Sequence, residues 1–225
     1  MASISYRIPR TATADSIESR IARRVEERGR GCVFVPTDFL DIGSRQGVDL
    51  ALHRLVKKGT FRRLARGLYD YPKTHPEIGI LAPTVDDIAA ALAGRHRIRL
   101  RPIGAYAANL LRLSNQVPMK VVFLTDGPTR HVRVRNLTIR LTRTTPRAMA
   151  ADETTSLVIE GLRHVGKVHI TRERVAHLRN LLPADVRTQL LKDLPLAPAW
   201  MHPFLRFIAG AEPAATRGRP RAKSS

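Results

Sequence analysis

The chain has 225 residues, with 39 Lys and Arg against 19 Asp and Glu, which gives a formal net charge of +20. This length allows one large domain or two modest ones, and a hydrophobic share of 43% is ordinary for a globular protein. The charge is not ordinary: it attracts polyanions, so nucleic acid is the partner that the composition favours. The excess is +7 in residues 1–75, +8 in residues 76–150 and +5 in residues 151–225, so it is not confined to one tail.

The composition also excludes several classes of protein. Cys32 is the single cysteine, which excludes an intrachain disulfide and a cysteine metal cluster and favours a reducing compartment. No apolar run reaches the ~20 residues that span a bilayer, and the N-terminus lacks the apolar core of a signal peptide. We therefore expect a soluble cytoplasmic protein.

Residues 13–72 predict a winged helix-turn-helix domain that follows a flexible basic arm, residues 1–12. Apolar residues at four-residue spacing indicate a first helix, which ends at Gly29 and precedes a short β-like run. A short second helix follows, and Ser44 caps a longer third helix that ends at Gly59. This order of elements is typical of a DNA-binding module.

A basic hairpin completes this predicted domain. The stretch TFRRLARGLYDYP, residues 60–72, has two short β-like runs around a turn at Gly67, which adopts φ > 0 without steric cost. We expect the third helix to read bases in a major groove and the hairpin arginines to hold phosphate. The predicted DNA-binding residues are Arg45, Gln46, Leu50, His53, Arg54, Lys57, Arg62, Arg63 and Arg66. A solvated basic face and a protein-interaction module remain alternatives.

The rest of the chain predicts an α+β fold class. A linker, residues 73–83, leads to a second domain, residues 84–210, with a small mixed or antiparallel sheet, helices and a helical C-terminal part. A disordered basic tail, residues 211–225, ends the chain.

Arginines alternate with apolar residues in one predicted strand of the second domain. Arg97, Arg99 and Arg101 therefore project from one face of that strand. Arg133 and Arg135 extend the same face on a strand that we expect to be its neighbour. Two interpretations stay open: a sheet face kept soluble by its charge, and a docking surface for an acidic protein patch or for nucleic acid.

No pattern of catalytic, metal-binding or cofactor-binding residues emerges. GLRHVGKV, residues 161–168, has the spacing of a phosphate-binding loop, but Val168 replaces the Ser or Thr that binds Mg²⁺. Gly166 is better explained as the end of a helix, and the scattered histidines do not have the spacing of a metal pair. We expect no enzymatic activity, no metal and no cofactor.

An ordered series of motifs resembles the AbiEi-type antitoxins of bacterial toxin–antitoxin and abortive-infection systems. The motifs are LALHRLVKKGTFRRLARGLYDYP at 50–72, PTVDDIAAAL at 83–92, GAYAANLLRLSNQVP at 104–118, FLTDGPTR at 123–130 and RTTPR at 143–147. The resemblance covers residues 13–180 and implies a winged helix that binds inverted repeats in its own promoter and represses transcription. It also implies a C-terminal domain that counters a nucleotidyltransferase-type toxin, in several such systems without a stable complex.

Three functions follow as hypotheses. The first is a DNA-binding antitoxin and autorepressor without catalytic activity. The second is a stand-alone transcriptional regulator whose second domain senses a small ligand, and the third is an RNA-binding factor that uses the arginine face.

Overall fold

The computed structural model describes residues 15–94 and 98–211. The chain divides into two compact units at the boundary between Arg97 and Ile98. Within the described residues there are eight α-helices and nine strands, so the expected mixture of α and β structure is confirmed. The predicted arm, the predicted tail from residue 212 on and Arg97 lie outside the described residues.

The first unit begins with capped helices on either side of a short strand. Its elements are α1 (Ile17–Arg28), β1 (Val33–Phe34), a 3-10 helix (Pro36–Phe39) and α2 (Arg45–Lys57). The predicted cap of α2 is confirmed, because the Ser44 hydroxyl accepts a hydrogen bond from the Gly47 amide at 3.2 Å. At the other end the Gly59 amide donates to Val56 and the Thr60 amide to Leu55, the two bonds of a Schellman motif.

A basic hairpin follows α2, as the sequence predicts. Strands β2 (Arg62–Ala65) and β3 (Leu68–Asp70) pair antiparallel, and Gly67 takes a φ of 70° in the turn. Strand β1 pairs with the free edge of β3, so the sheet order is β1-β3-β2. The hairpin is thereby fixed to the helices that precede it.

Aromatic side chains form the centre of the first unit. Phe34 contacts Phe39 and Phe61 edge to face, with ring centroids 5.5 and 5.1 Å apart, and stacks on Tyr69 at 6.1 Å. Such pairs contribute about 0.5–1.5 kcal/mol beyond their buried area. The apolar faces of α1 and α2 pack onto this cluster, which fixes the orientation of α2.

The boundary between the units differs from the sequence expectation. Residues 73–83 are not a plain linker, because they contain a hairpin of β4 (Thr74–His75) and β5 (Gly79–Ile80). The next helix, α3 (Val85–Ala93), belongs to the first unit and packs against β1. The reason is that its apolar face, which includes the fully buried Ile88, is covered there.

The second unit contains a four-stranded mixed sheet. Its strands are β6 (Leu100–Ile103), β7 (Lys120–Thr125), β8 (Arg130–Val134) and β9 (Leu137–Arg143), in the order β6-β7-β9-β8. The turn after β7 therefore does not join neighbouring strands, because β9 lies between β7 and β8 and runs parallel to β7. Alternating apolar residues of β7 and β9, such as Phe123 and Leu141, are buried on one face of the sheet.

Five helices cover and extend this sheet. They are α4 (Gly104–Leu110), α5 (Glu153–Val165), α6 (Arg172–Leu181), α7 (Ala184–Lys192) and α8 (His202–Ala209). Helix α5 is preceded by a separate 3-10 helix, Pro146–Met149. The break between them occurs because the Asp152 carboxylate accepts a hydrogen bond from the Thr154 amide at 2.9 Å and caps a new helix.

Candidate nucleic-acid interface

Helix α2 has one buried and one exposed face. Val48, Ala51, Leu52 and Leu55 are buried against the rest of the first unit. The opposite stripe is exposed and consists of Gln46, Leu50, His53 and Lys57, with Arg45 and Arg54 on its flanks. Successive members of the stripe are four, three and four residues apart, so they lie on the same side of the helix in successive turns. All six predicted α2 residues are therefore accessible.

The cations of α1 and α2 differ in their partners. On α1, Arg23 pairs with Asp15 at 2.6 Å, and Arg24 pairs with Asp41 at 2.7 Å, which raises the pKa of the Arg24 guanidinium. The remaining α1 arginines contact Asp38 and a backbone carbonyl. These cations are already neutralised or held within the unit.

On α2, by contrast, most of the positive charge is unpaired. Arg54 and Lys57 are exposed and form no ion pair with any residue in the described part of the chain. Arg45 is paired with Asp49 at 2.9 Å, in an exposed ion pair like that of Arg23 on α1. The unpaired charge of α2 is therefore that of Arg54 and Lys57.

The hairpin arginines divide into two kinds. Arg62 donates from Nε to Asp70 Oδ1 at 3.0 Å and from Nη2 to the Leu81 carbonyl at 3.0 Å. Asp70 is only 2% exposed, so its carboxylate depends on Arg62 for compensation of its charge. The expectation that Arg62 holds phosphate is therefore corrected: its guanidinium is part of the fold.

Arg63 and Arg66 keep the exposed positions that the sequence predicts. Arg63 makes only a long contact from its Nε to the Ala65 carbonyl, at 3.4 Å. Arg66 lies at the turn and forms no ion pair among the described residues. The sequence did not separate Arg62 from these two, because a regular two-residue turn would place Arg63 opposite Asp70. The irregularity between Arg63 and Ala65 shifts the register by one residue and brings Arg62 opposite Asp70 instead.

A cavity of about 460 Å³ lies in the first unit, and its lining includes Cys32, Asp70 and Asp87. Burial raises the pKa of the Cys32 thiol, which disfavours the nucleophilic thiolate. Among residues 15–94 and 98–211 no three His, Cys, Asp or Glu side chains are grouped to hold a metal. Over the same residues, no helix has both the length and the apolar character needed to cross a bilayer.

The arginine face predicted for the second unit is wrong in two respects. Arg101 is buried, with 7% exposure, and its Nη1 lies 3.3 Å from Glu153 Oε2. Arg99 is half exposed, but its Nε donates to Asp126 Oδ2 at 2.8 Å and its backbone amide to Oδ1 at 2.9 Å. The alternation in sequence did not show that helix α5 covers this edge of the sheet.

Arg133 and Arg135 do not extend that face. They lie on β8 and in the turn after it, and β6 and β8 are at opposite edges of the sheet because β7 and β9 separate them. Both are exposed, and Arg135 has a positive φ of 53° in the β8–β9 turn.

The fold and this interface define an α+β protein whose first unit concentrates unpaired cations on α2 and the neighbouring hairpin. The chain belongs to the family DUF6088, described as a family of unknown function, which matches residues 20–190. No curated protein and no solved structure shows a significant match to the chain.

Proposed function

We propose that the protein binds duplex DNA, with its first unit acting as a winged helix-turn-helix. In this proposal α2 enters the major groove and the β2–β3 hairpin is the wing beside it. The order α1, β1, 3-10 helix, α2, β2, β3 supports this assignment, with the 3-10 helix in the place of the second helix. The observation that carries the proposal is that unpaired cations lie on α2 and the turn, whereas those of α1 are held by carboxylates or by a backbone carbonyl.

The side chains of the α2 stripe suggest separate roles. Gln46 has the amide that forms two hydrogen bonds with adenine, His53 offers a ring nitrogen to a base edge, and Leu50 fits a thymine methyl group. Arg54 and Lys57 are placed to contact phosphate, as are Arg63 and Arg66 on the hairpin.

The resemblance to AbiEi-type antitoxins supplies a biological setting for this activity. In it, the protein is a cytoplasmic autorepressor that binds inverted repeats in the promoter of its own operon. It also counters a nucleotidyltransferase-type toxin encoded beside it, without catalytic activity of its own.

Fluorescence anisotropy with the protein's own promoter duplex tests the DNA-binding proposal. We expect Gln46→Ala and His53→Ala to reduce binding by about 1–3 kcal/mol and to relax the preference at particular base pairs. Arg66→Ala should weaken all sequences alike and flatten the salt dependence, with a slope about 0.9 smaller per lost phosphate contact.

Lys192→Ala is the matched control, because Lys192 is exposed in the second unit and is a single cation outside the proposed interface. Equal losses of DNA affinity in Lys192→Ala and Arg66→Ala would show that binding depends on the net charge and not on the proposed interface. Unchanged sequence preference in both Gln46→Ala and His53→Ala would refute base reading by α2.

A ligand-responsive regulator is the second candidate, and a cavity of about 310 Å³ in the second unit favours it. The cavity is lined by Ser156, Ile159 and the largely buried Glu160, whose pKa is raised by burial. Co-expression with the neighbouring toxin gene separates the two candidates. Growth rescue supports the antitoxin, whereas promoter repression without growth rescue supports the regulator.

A further inference from the structure

The second unit carries a cationic surface that differs from the arginine face expected from the sequence. We define the basic sheet face as the exposed side chains of Lys120 on β7, Arg140 on β9, and His131 and Arg133 on β8. The apolar residues that alternate with them, such as Val121 and Ile139, are buried on the other side of the sheet. Alternation along three adjacent strands therefore places all four side chains on one surface.

The strand register brings these side chains close together. Arg140 lies directly opposite His131, and Thr138 lies between Lys120 and Arg133 in the neighbouring row. Residues opposite each other in a sheet have Cβ atoms about 4.5–5.5 Å apart. The cations Lys120, Arg133 and Arg140 are therefore clustered within two adjacent rows of the sheet.

Acidic side chains do not neutralise the basic sheet face. Residues 98–151 include a single carboxylate, Asp126. Arg99 already donates to both of its oxygens and lowers the pKa of this carboxyl group. Among the described residues Lys120, Arg133 and Arg140 form no ion pair, and Arg133 only contacts the Arg135 carbonyl, at 3.2 Å.

We propose that the basic sheet face binds the phosphate backbone of duplex DNA without sequence preference. The surface is unpaired, positive and open, which fits a polyanion. It has no Phe, Tyr or Trp, so it lacks the stacking platform on which proteins hold the bases of single strands. The inference rests on the proposed function, since it adds a second DNA contact to that of the first unit.

Salt titration of the full chain tests this contact. The variant Lys120→Gln/Arg133→Gln/Arg140→Gln is compared with Lys167→Gln/Arg172→Gln/Lys192→Gln, which removes three exposed cations from helical parts of the same unit. Both are titrated against the promoter duplex and a duplex of scrambled sequence. We expect the sheet variant to weaken both duplexes by the same factor and to reduce the salt slope by about 0.9 per lost contact, up to about 2.7.

The helical control should keep the wild-type slope. Equal slopes for the two triple variants would overturn the proposal, because the effect would then belong to total charge. A sheet variant that loses binding to an RNA duplex of the same length, but keeps its binding to DNA, would also overturn it. The single variant Arg140→Gln, with an expected slope change of about 0.9, keeps the test decisive if the triple variant unfolds.

A double variant tests base reading by α2 separately from the contact of the basic sheet face. The variant Gln46→Ala/His53→Ala should lose the preference for the promoter over the scrambled duplex and keep the slope contributed by the sheet. If that variant discriminates as the wild type does, base reading by α2 is refuted, whereas the slopes of the two triple variants still decide the sheet contact.

Discussion

Two arginine-rich stretches look alike in sequence and differ in structure: residues 62–66 of the hairpin and residues 99–101 at β6. In the hairpin Arg62 is bound to buried Asp70, while Arg63 and Arg66 remain exposed and unpaired. At β6 neither arginine is unpaired, because Arg99 is held by Asp126 and Arg101 by Glu153. An arginine is thus available to bind phosphate when it is exposed and lacks an acidic partner, whatever the local density of charge.

The largest expected effect is a difference in stability between variants of two adjacent hairpin arginines. Arg62→Ala should reduce the free energy of unfolding by about 3 kcal/mol, since it leaves the Asp70 carboxylate buried without its counter-charge. Arg63→Ala should change it by no more than about 0.5 kcal/mol, because Arg63 is exposed. Urea denaturation followed by circular dichroism measures both values.

Arg62→Ala/Asp70→Ala is the control for that effect. Removal of both partners eliminates the uncompensated charge, so the double variant should be more stable than Arg62→Ala alone. Equal stability of the Arg62→Ala and Arg63→Ala variants would show that the two arginines do not differ.

A smaller loss is expected from Arg101→Gln. Its amide would lie in a buried position without the contacts that Arg101 makes with Glu153 and the Ala151 carbonyl, at a cost of about 1–3 kcal/mol. Arg101→Met is the matched variant, and it should be less destabilising because Arg101 Nε is buried without a partner among the described residues. The midpoint of urea unfolding distinguishes them, and a stability of Arg101→Gln equal to that of the wild type would contradict the burial of this side chain.

The two arginine-rich stretches should also differ in how much they contribute to DNA binding. Arg66→Ala should reduce the salt slope of duplex binding by about 0.9, since one phosphate contact is lost. Arg99→Ala should leave the slope unchanged, because its guanidinium is engaged by Asp126. Titration of both variants in increasing salt measures this difference, and a larger change for Arg99→Ala would reverse the assignment.

The smallest effect is a pH dependence at Asp126. Hydrogen bonds from Arg99 hold the pKa of this carboxyl group below its ordinary value of about 3.9. A lowered folded pKa means that the ionised carboxylate stabilises the fold above pH ~4 and that this contribution is lost as the pH falls through the folded pKa. Arg99→Gln should raise the pKa of Asp126, which an NMR titration of its carboxyl carbon measures. An unchanged pKa would show that Arg99 does not cause the shift.

Local features of this chain could be predicted from its sequence. Ser44 caps α2 as expected, because its hydroxyl group accepts a hydrogen bond from a backbone amide of the first turn. Thr84 and Thr171 cap α3 and α6 by the same local bond. Gly166 ends α5 with its amide bonded to Leu162, which agrees with the helix-end interpretation of this glycine. The exposed stripe of α2 followed from helical spacing in the same way.

Long-range packing limited the prediction of the rest. The burial of Arg101 depends on a segment 50 residues further along, whose Ala151 carbonyl accepts its hydrogen bond. The insertion of β9 between β7 and β8 likewise depends on a parallel pairing that no local turn signal encodes. The alternation of Arg and apolar residues at β6 therefore predicted a strand correctly and its exposed face wrongly.

Photocrosslinking locates the DNA on the protein most directly. A benzophenone side chain is placed at Leu50, which is 51% exposed on α2, and separately at Val168, which is 91% exposed in the second unit. With the labelled promoter duplex, we expect a covalent adduct from position 50 that an excess of unlabelled promoter abolishes, and little adduct from position 168. No adduct at position 50, or equal adducts at both positions, would contradict the assignment of α2 as the DNA-reading helix.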